Sequence, residues 1–188
     1  MSSQRISPEE YLRIDRAAEF RSEYCNGEMF AMSGGSFAHW RIIGNLVAWL
    51  RSALESKECI VGSSDLRIGV SPRGLYTYPD VIVICGEPHF ADDQKDTLVN
   101  PALLIEVLSP STEAHDRVLK WAQYRQIESL KGYAMVSQTE PRVEVYTRQT
   151  AGRWFFSEFV GLEAQCRFDS IDCEIPVSEI YSKVEFDS

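Results

Sequence analysis

The 188-residue sequence lacks the features that mark several large classes of protein. No apolar run approaches the roughly 20 residues that a membrane-spanning helix needs. The first residues contain no apolar stretch followed by small residues, so we expect no secretory signal there and a cytoplasmic location. There is no internal repeat, low-complexity segment or linker, and the length suits one domain. We therefore predict a single domain over residues 1–188.

The cysteines are few and scattered. The chain has 5 of them, an odd number, and none forms a C-x-x-C pair. This argues against a disulfide scaffold and against a structural zinc site. We interpret most of the cysteines as small core or surface residues.

Basic residues are also in short supply. Lys and Arg number 19 against 28 Asp and Glu, which gives a net charge of −9. A protein that holds duplex DNA mainly through its phosphates carries a basic face. The charge balance therefore argues against non-specific duplex binding by the chain as a whole. It leaves open a local basic strip, bound metal ions or a dimer groove.

What the sequence does contain is a series of helix and strand patterns. Ser7 and Pro8 before two acids predict an N-terminal helix, and Asn26-Gly27 predicts a hairpin over residues 23–32. Apolar and capping residues predict longer helices over about residues 37–57 and 112–127. Strands are predicted at CIVGS, LRIGV, YPDVIVI, ALLIEVLS, GYAMVS, RVEVYTR and RWFFSEFV, and a last helical turn in IPVSEIYSKV. This order predicts an α+β fold with a central mixed β-sheet flanked by helices.

One of these strands has an acid in its middle. In LLIEVLS, Leu104 and Leu108 share a face with Glu106, and the other face is apolar too. Such a strand is expected to be covered on both sides. An ionised Glu106 there is costly unless it is paired, bound to a metal or reached by water. Glu106 therefore needs a partner.

A second acid, Asp80, follows Pro79 at the entrance of the VIVI strand. If the two strands pair antiparallel with Ile84 opposite Ala102, the two acids face each other; a slip by one residue would break the match. Adjacent carboxylates repel unless a cation or a shared proton lies between them. The pair therefore predicts a site for Mg²⁺ (or Mn²⁺), which takes oxygen ligands. The alternative is that Asp80 caps a turn and Glu106 forms a buried salt bridge with an arginine.

The helix after the Glu106 strand carries a lysine. Asp116, Lys120 and Tyr124 follow one another at four-residue spacing and so share a helix face. An ammonium near a metal ion would orient or deprotonate the attacking water and offset charge on a phosphate. The alternative is an ordinary surface pair of Asp116 and Lys120, worth about 0.3 kcal/mol. Spacing alone does not separate the two.

The stretches YPDVIVI and NPALLIEVLSPSTEAHDRVLKWAQYRQIESLKGYAMVS, together with SEYCNGEMFAMSGGSFAHWRIIGNLVAWL and SSDLRIGV, resemble the Uma-two family. That family lies within the PD-(D/E)XK restriction-endonuclease-like superfamily. The resemblance implies a restriction-endonuclease-like core and a metal-dependent nuclease acting on DNA. It implies Asp80 and Glu106 as metal-binding acids, with the Val107 carbonyl as a further ligand. The usual superfamily lysine stands two residues after the second acid, where this chain has Leu108, and the family resemblance moves its role to Lys120.

Two further residues match positions of the family. Glu23, in the first arm of the hairpin, would reach a second metal or hydrogen-bond the site; the alternative is a solvated strand carboxylate. His39, near the start of the long helix, would contact the substrate; the alternative is a structural histidine. Asp65 is interpreted as a turn residue, and no role is assigned to the other two histidines.

Three functions remain open on the sequence. The first is a Mg²⁺-dependent endonuclease in which Asp80 and Glu106 hold the metal and Lys120 helps to position the attacking water. The second is a catalytically inactive nucleic-acid-binding or protein-interaction module on the same fold, favoured by the acidic balance and the missing strand lysine. The third is a structural oligomer that uses the apolar face of RWFFSEFV, a stretch that we interpret instead as core. By analogy with restriction-like nucleases we expect a homodimer.

Overall fold

A mixed six-stranded β-sheet forms the centre of the molecule. The computed structural model describes residues 5–32, 34–70, 74–109 and 113–186. The strand order in this sheet is β11-β10-β9-β8-β6-β3. Strands β8 and β9 run parallel and the other neighbours antiparallel, which confirms the predicted mixed sheet. The strands are β3 (Cys59–Ser63), β6 (Val81–Cys85), β8 (Leu103–Leu108), β9 (Gly132–Ser137), β10 (Arg142–Arg148) and β11 (Trp154–Val160).

A smaller five-stranded sheet stands beside it, in the order β2-β1-β5-β4-β7. Its first two strands form the predicted hairpin, which turns through Asn26 (φ 49°) and Gly27 (φ 100°), both in the left-handed region. The strands are β1 (Ser22–Cys25), β2 (Glu28–Ala31), β4 (Arg67–Gly69), β5 (Leu75–Thr77) and β7 (Thr97–Leu98). A separate antiparallel pair, β12 (Gln165–Phe168) and β13 (Cys173–Pro176), was not predicted.

Helices cover the sheets. Helix α1 begins as predicted, with the Ser7 side chain accepting the Glu10 N–H and proline in the first turn. In the described parts of the chain, no helix is both long and apolar enough to cross a membrane. The helices are α1 (Pro8–Ala17), α2 (Phe37–Ala53), α3 (Glu113–His115), a π-helical turn (Asp116–Lys120), α4 (Trp121–Tyr124) and α5 (Val177–Ile180).

Both long helices are shorter than predicted. Helix α2 ends at Ala53 rather than near residue 57, because the buried Leu54 closes it and the chain must turn before β3 begins at Cys59. Segments α3, the π-helical turn and α4 are continuous and form the 113–124 helix. The expected start at Thr112 lies outside the described residues. The expected end at Ile127 is wrong, since Ile127 is buried in the turn that leads to β9.

The central strands of the six-stranded sheet are buried on both faces. One face packs against α2 and α5, and the other packs against the 113–124 helix and the smaller sheet. All six residues of β8 are buried, as the uninterrupted apolar pattern predicted. Glu106 points toward the face that carries Leu104, Leu108 and Tyr124. The alternation of side chains along β8 therefore places Glu106 on the face that packs against the 113–124 helix.

The interpretation of RWFFSEFV as core is wrong. Strand β11 is the edge of the six-stranded sheet, and Phe155, Phe156 and Val160 are 60%, 45% and 55% exposed. Only Trp154 and Phe159 pack partly against the core. A run of aromatic residues indicates a strand equally well at the centre or at the edge of a sheet, so its sequence did not reveal this position.

A single disulfide was not anticipated. Cys59 and Cys85 are direct partners on the antiparallel strands β3 and β6, with Cα atoms 4.1 Å apart, and their sulfurs are bonded. The pairing depends on the register of two strands whose contact the sequence did not predict. The other three cysteines, Cys25, Cys166 and Cys173, carry free thiols, and the last two are buried.

Candidate active site

Strands β6 and β8 bring Asp80 and Glu106 side by side. Val81 pairs with Ile105, which confirms the register assumed from the sequence. Asp80 precedes Val81 and Glu106 follows Ile105, so the two acids take the next positions along the ladder. Asp80 Oδ2 accepts the Val107 N–H at 2.7 Å, a bond that holds the carboxylate at the end of the neighbouring strand.

Glu106 is a buried carboxylate with two donors. The residue is 3% exposed, and its Oε1 accepts the Tyr124 hydroxyl at 2.8 Å and lies 3.2 Å from Lys120 Nζ. Burial raises the pKa of Glu106 well above its ordinary value, while the ammonium of Lys120 acts in the opposite direction. The partners of Glu106 are therefore a lysine and a tyrosine of the 113–124 helix. The alternative of an arginine partner is wrong.

Lys120 lies at the centre of the site. Its Nζ is 3.1 Å from Glu23 Oε1, 3.1 Å from Asp116 Oδ1 and 3.2 Å from Glu106 Oε1. Burial acts to lower the pKa of Lys120, but the carboxylates, Glu106 foremost, raise it well above its ordinary value. Lys120 is therefore an ammonium at neutral pH. The alternative of an exposed surface pair is wrong, because Asp116 and Lys120 are both buried.

The π-helical turn sets where Lys120 points. The Trp121 N–H bonds to the Asp116 carbonyl five residues back, the signature of a π turn. The Tyr133 hydroxyl donates to the same carbonyl at 3.2 Å. The Trp121 ring stacks on the rings of Tyr133 and Tyr146, with centroids 5.6 and 4.3 Å apart. These contacts anchor the helix one residue after Lys120.

Glu23 and His39 complete the site from two other elements. The Glu23 side chain is 14% exposed and accepts a hydrogen bond from the Thr77 hydroxyl besides its contact with Lys120. A solvated Glu23 is therefore ruled out. His39 Nε2 lies 3.2 Å from Asp80 Oδ2. Burial acts to lower the pKa of His39, but the hydrogen bond with Asp80 raises it overall.

These side chains surround one open cavity of about 340 Å³. Tyr124 is fully buried behind Glu106 and does not line the cavity, so it holds the acid in place from behind. Asp65 lies in an exposed turn away from the cavity, as predicted. The predicted residues on the cavity wall are Glu23, His39, Asp80, Glu106, Val107 and Lys120, joined by Asp116, Tyr78, Ser36 and Gln138.

The chemistry of these donors fits a divalent cation. Four carboxylates line the cavity with one lysine, so negative charge is in excess. Asp116 Oδ1 is buried without a hydrogen bond of standard geometry, although Lys120 Nζ is 3.1 Å away. In the described ranges no three His, Cys, Asp or Glu residues are arranged to hold one ion, and Lys120 Nζ lies among three of the acids instead. Mg²⁺ needs only one or two carboxylates besides water, which Asp80 and Glu106 can offer.

Comparison with known proteins places the chain in a family. Residues 8–172 match the family Uma2, described as "Putative restriction endonuclease". The chain belongs to the Uma2 family. Two proteins of Synechocystis sp. (strain ATCC 27184 / PCC 6803 / Kazusa) are similar over most of its length. "Uncharacterized protein slr1290" is 35% identical over 184 residues, covering 97% of this chain and 94% of the relative. "Uncharacterized protein sll1609" is 33% identical over 163 residues, covering 87% of this chain and 92% of that relative.

A solved structure shares the fold of this Uma2 chain. It is the crystal structure of "a putative nuclease belonging to DUF820" from Anabaena variabilis ATCC 29413. The TM-score is 0.71 at 20% sequence identity, and the match covers 94% of this chain and 98% of that chain. The likeness confirms the predicted restriction-endonuclease-like fold. Family and fold together indicate a restriction-endonuclease-like nuclease.

Proposed function

We propose that this Uma2 protein is a metal-dependent endonuclease that hydrolyses phosphodiester bonds of DNA. The observation that carries the proposal is the buried Lys120 ammonium in contact with Glu23, Glu106 and Asp116 on the wall of an open cavity. Burying so many charges is costly, and a structural ion pair has no need of an opening to solvent. Charged groups with perturbed pKa values in a cleft are typical of functional sites.

In this proposal Asp80, Glu106 and the Val107 carbonyl hold Mg²⁺ or Mn²⁺. The ion, when bound, would polarise the scissile phosphate and lower the pKa of a coordinated water.

The chain's own side chains supply the rest of the proposed chemistry. Lys120 is protonated, so it orients the attacking water and stabilises negative charge on the phosphate rather than removing a proton. The Tyr124 hydroxyl fixes the Glu106 carboxylate, and Glu23 and Asp116 fix the ammonium. His39, held by Asp80 at 3.2 Å on the cavity wall, is the proposed contact for a substrate phosphate oxygen.

A second function has its own support. Lys120 Nζ already lies among three acids, and Asp80 Oδ2 is already engaged by His39 and the Val107 N–H. A site whose charges are satisfied in this way suits an inactive nucleic-acid-binding or protein-interaction module on the same fold. Such a module would bind nucleic acid without turnover in any divalent ion.

The test is DNA cleavage in Mg²⁺ and Mn²⁺ by the wild type and by Asp80→Asn and Glu106→Gln. Each substitution removes one carboxylate charge at nearly constant size and is expected to lower metal-stimulated cleavage by about 100-fold or more. Asp65→Asn is the matched control, since Asp65 is an exposed acid outside the cavity. Unchanged cutting by the purified Asp80 and Glu106 variants would contradict the assignment. Binding without cleavage in every ion would favour the module.

We further propose that the protein is a homodimer and that it works in the cytoplasm. The exposed edge of β11 supports the first of these, because an edge strand offers unpaired backbone groups together with the apolar side chains of Phe155 and Phe156.

A further inference from the structure

Helix α2 begins with two aromatic side chains that face solvent. Phe37 is 70% exposed and Trp40 is 64% exposed, while the buried side of this helix is carried by Ile42, Leu46 and Leu50. The two rings contact each other, with centroids 5.6 Å apart and an angle of 33° between their planes. Neither ring belongs to the core. Packing of the core therefore does not account for this pair of large, exposed rings.

The pair adjoins the proposed active site. Phe37 lines a second open cavity, of about 620 Å³, next to the one that holds the acids. Ser36 and Gln138 line both cavities, and the Ser36 hydroxyl donates to Gln138 Oε1 at 2.6 Å, so this contact is the wall between them. His39 lies between the two aromatic residues in the chain and reaches Asp80 at 3.2 Å. Phe37 and the acids thus lie on either side of the Ser36–Gln138 contact.

A positively charged side chain, Arg41, lies beside the two rings. The guanidinium carbon of Arg41 lies 5.7 Å from the Phe37 ring centroid and 5.9 Å from that of Trp40. Arg41 Nε is buried and has no hydrogen-bond partner. Lys183 and Glu185 line the same cavity, so its charged side chains sum to one positive charge, against −9 for the whole chain. The wall of this cavity is therefore slightly positive, beside a strongly acidic site.

We infer that the substrate enters as a single strand, or as a locally unpaired segment of DNA, with one base stacked on Phe37 and Trp40. In this arrangement Arg41 meets a neighbouring phosphate, and the next phosphodiester reaches the cavity that holds Asp80. The inference rests on the proposed nuclease function and names the substrate class of that site. Aromatic side chains stack on a base whose face is free, which a paired base inside a duplex does not offer. A duplex would instead require a broad basic face, whereas the cavity beside Phe37 carries an excess of only one positive charge.

The test is binding of short fluorescent oligonucleotides, measured by anisotropy in EDTA so that metal-dependent cleavage cannot interfere. The wild type is expected to bind a single strand more tightly than a blunt duplex of the same sequence. Replacing its bases by abasic sites should weaken binding without any change to the protein. Trp40→Leu and Phe37→Leu should each weaken single-strand binding by about 5- to 150-fold, the range of a lost base–aromatic stack. Trp40→Phe keeps a ring and should retain most of the affinity.

Phe20→Leu is the matched control, because Phe20 is 78% exposed and lines neither of the two cavities. Equal affinity of the wild type for strand and duplex, or no loss with both leucine variants and the abasic strand, would overturn the inference. So would self-association that disappears in Trp40→Leu while oligonucleotide binding is unchanged. None of these results bears on cleavage in Mn²⁺. Conversely, ring-dependent binding by a protein that cuts no DNA would overturn the nuclease proposal alone.

Discussion

At the scale of single residues, the site depends on one charge. Lys120 is the cation that Glu23, Glu106 and Asp116 share at contact distance. Glu106 and Lys120 therefore influence each other's protonation: burial favours a protonated Glu106, and the ammonium favours an ionised one. Removal of the ammonium would leave three carboxylates facing one another with little water to screen them.

We predict that Lys120→Met lowers the free energy of unfolding by about 3–5 kcal/mol at pH 8, the usual cost of a buried charge left without its partner. The loss should be smaller at pH 5. The folded state of this variant raises the pKa of Glu106 even more than the wild type does, so it binds a proton that the unfolded chain releases. Stability therefore increases as the pH falls through the folded pKa of Glu106 toward its ordinary value.

Urea unfolding of the wild type, Lys120→Met and Lys120→Arg at both pH values measures this effect. Arginine keeps the positive charge and should show a much smaller pH dependence, although its planar head will not match the three contacts of the ammonium. A methionine variant that is equally stable at pH 5 and pH 8 would contradict the prediction.

At the scale of elements, α1 is hydrogen-bonded to the segment between β5 and β6 that leads into the site. Asp15 of α1 accepts a hydrogen bond from Arg67 Nη2 at 2.7 Å and one from the Tyr78 hydroxyl at 2.5 Å, and all three side chains are buried. Burial acts to raise the pKa of Asp15, but these hydrogen bonds lower it overall. Tyr78 lines the cavity two residues before Asp80. Helix α1 thus holds the segment that carries Asp80.

We predict that Asp15→Asn lowers the free energy of unfolding by about 1.5–3 kcal/mol at pH 7, because the buried Arg67 loses its closest carboxylate and keeps only Asp96, 3.4 Å from its Nη1. The pKa of Asp15 is lowered by folding, so its contribution is complete above its ordinary pKa of about 4 and is lost as the pH falls through the folded value. The difference in the free energy of unfolding between the variant and the wild type should therefore become smaller at low pH.

Urea titrations at pH 7 and pH 3 check this expectation. Glu10→Gln is the control, since Glu10 forms an exposed ion pair with Arg13 and its loss should leave stability nearly unchanged. A gap of the same size at both pH values would mean that the carboxylate charge of Asp15 is not what stabilises α1.

Local signals made most of the elements predictable. Ser7 and Pro8 predicted where α1 starts and Asn26-Gly27 predicted the hairpin, while the pairing of β6 with β8 was an assumption that the structure confirms. The short strands β5 and β7 and the pair β12–β13 were missed. They have at most four residues each, too few for an alternation pattern to be distinct.

Only the part of the candidate site that depends on the pairing of β6 with β8 was predictable from the sequence. The neighbouring positions of Asp80 and Glu106 followed from an assumed strand register. Lys120 was singled out on the following helix, and the family resemblance gave it the role of the superfamily lysine. The contacts of Glu23 and Asp116 with Lys120 depend on how the smaller sheet and the 113–124 helix pack over β8, and no local sequence pattern predicts such packing. The spacing of Asp116, Lys120 and Tyr124 was the one available signal, and it is shared by ordinary surface helices.

At the scale of the whole molecule, the exposed edge of β11 is the surface that supports a homodimer. Phe155, Phe156 and Val160 would leave water if a second β11 paired with the first, and the open backbone groups of the edge would be satisfied. The prediction of a single domain belongs to this scale as well. It would be supported by one unfolding transition seen with two independent probes.

We predict that Phe156→Lys shifts a wild-type dimer to the monomer, because it places a charge on the paired edge. Light scattering after gel filtration over a range of concentrations gives the mass directly. Phe20→Lys is the control, since Phe20 is 78% exposed and lies outside the strands. A wild type that stays monomeric at every concentration would contradict the homodimer, and dissociation in both variants would place the interface elsewhere.

The π-helical turn between Asp116 and Lys120 has a consequence for how this chain tolerates insertions and deletions. An α-helix advances by about 100° per residue, so removing one residue here would restore regular bonding and swing one half of the helix by that angle. Either the ammonium would leave its three acids or Trp121 would leave its stack on Tyr133 and Tyr146. This helix is therefore not expected to tolerate the insertion or deletion of even one residue. An exposed loop elsewhere can gain or lose residues without displacing Lys120 from its acids.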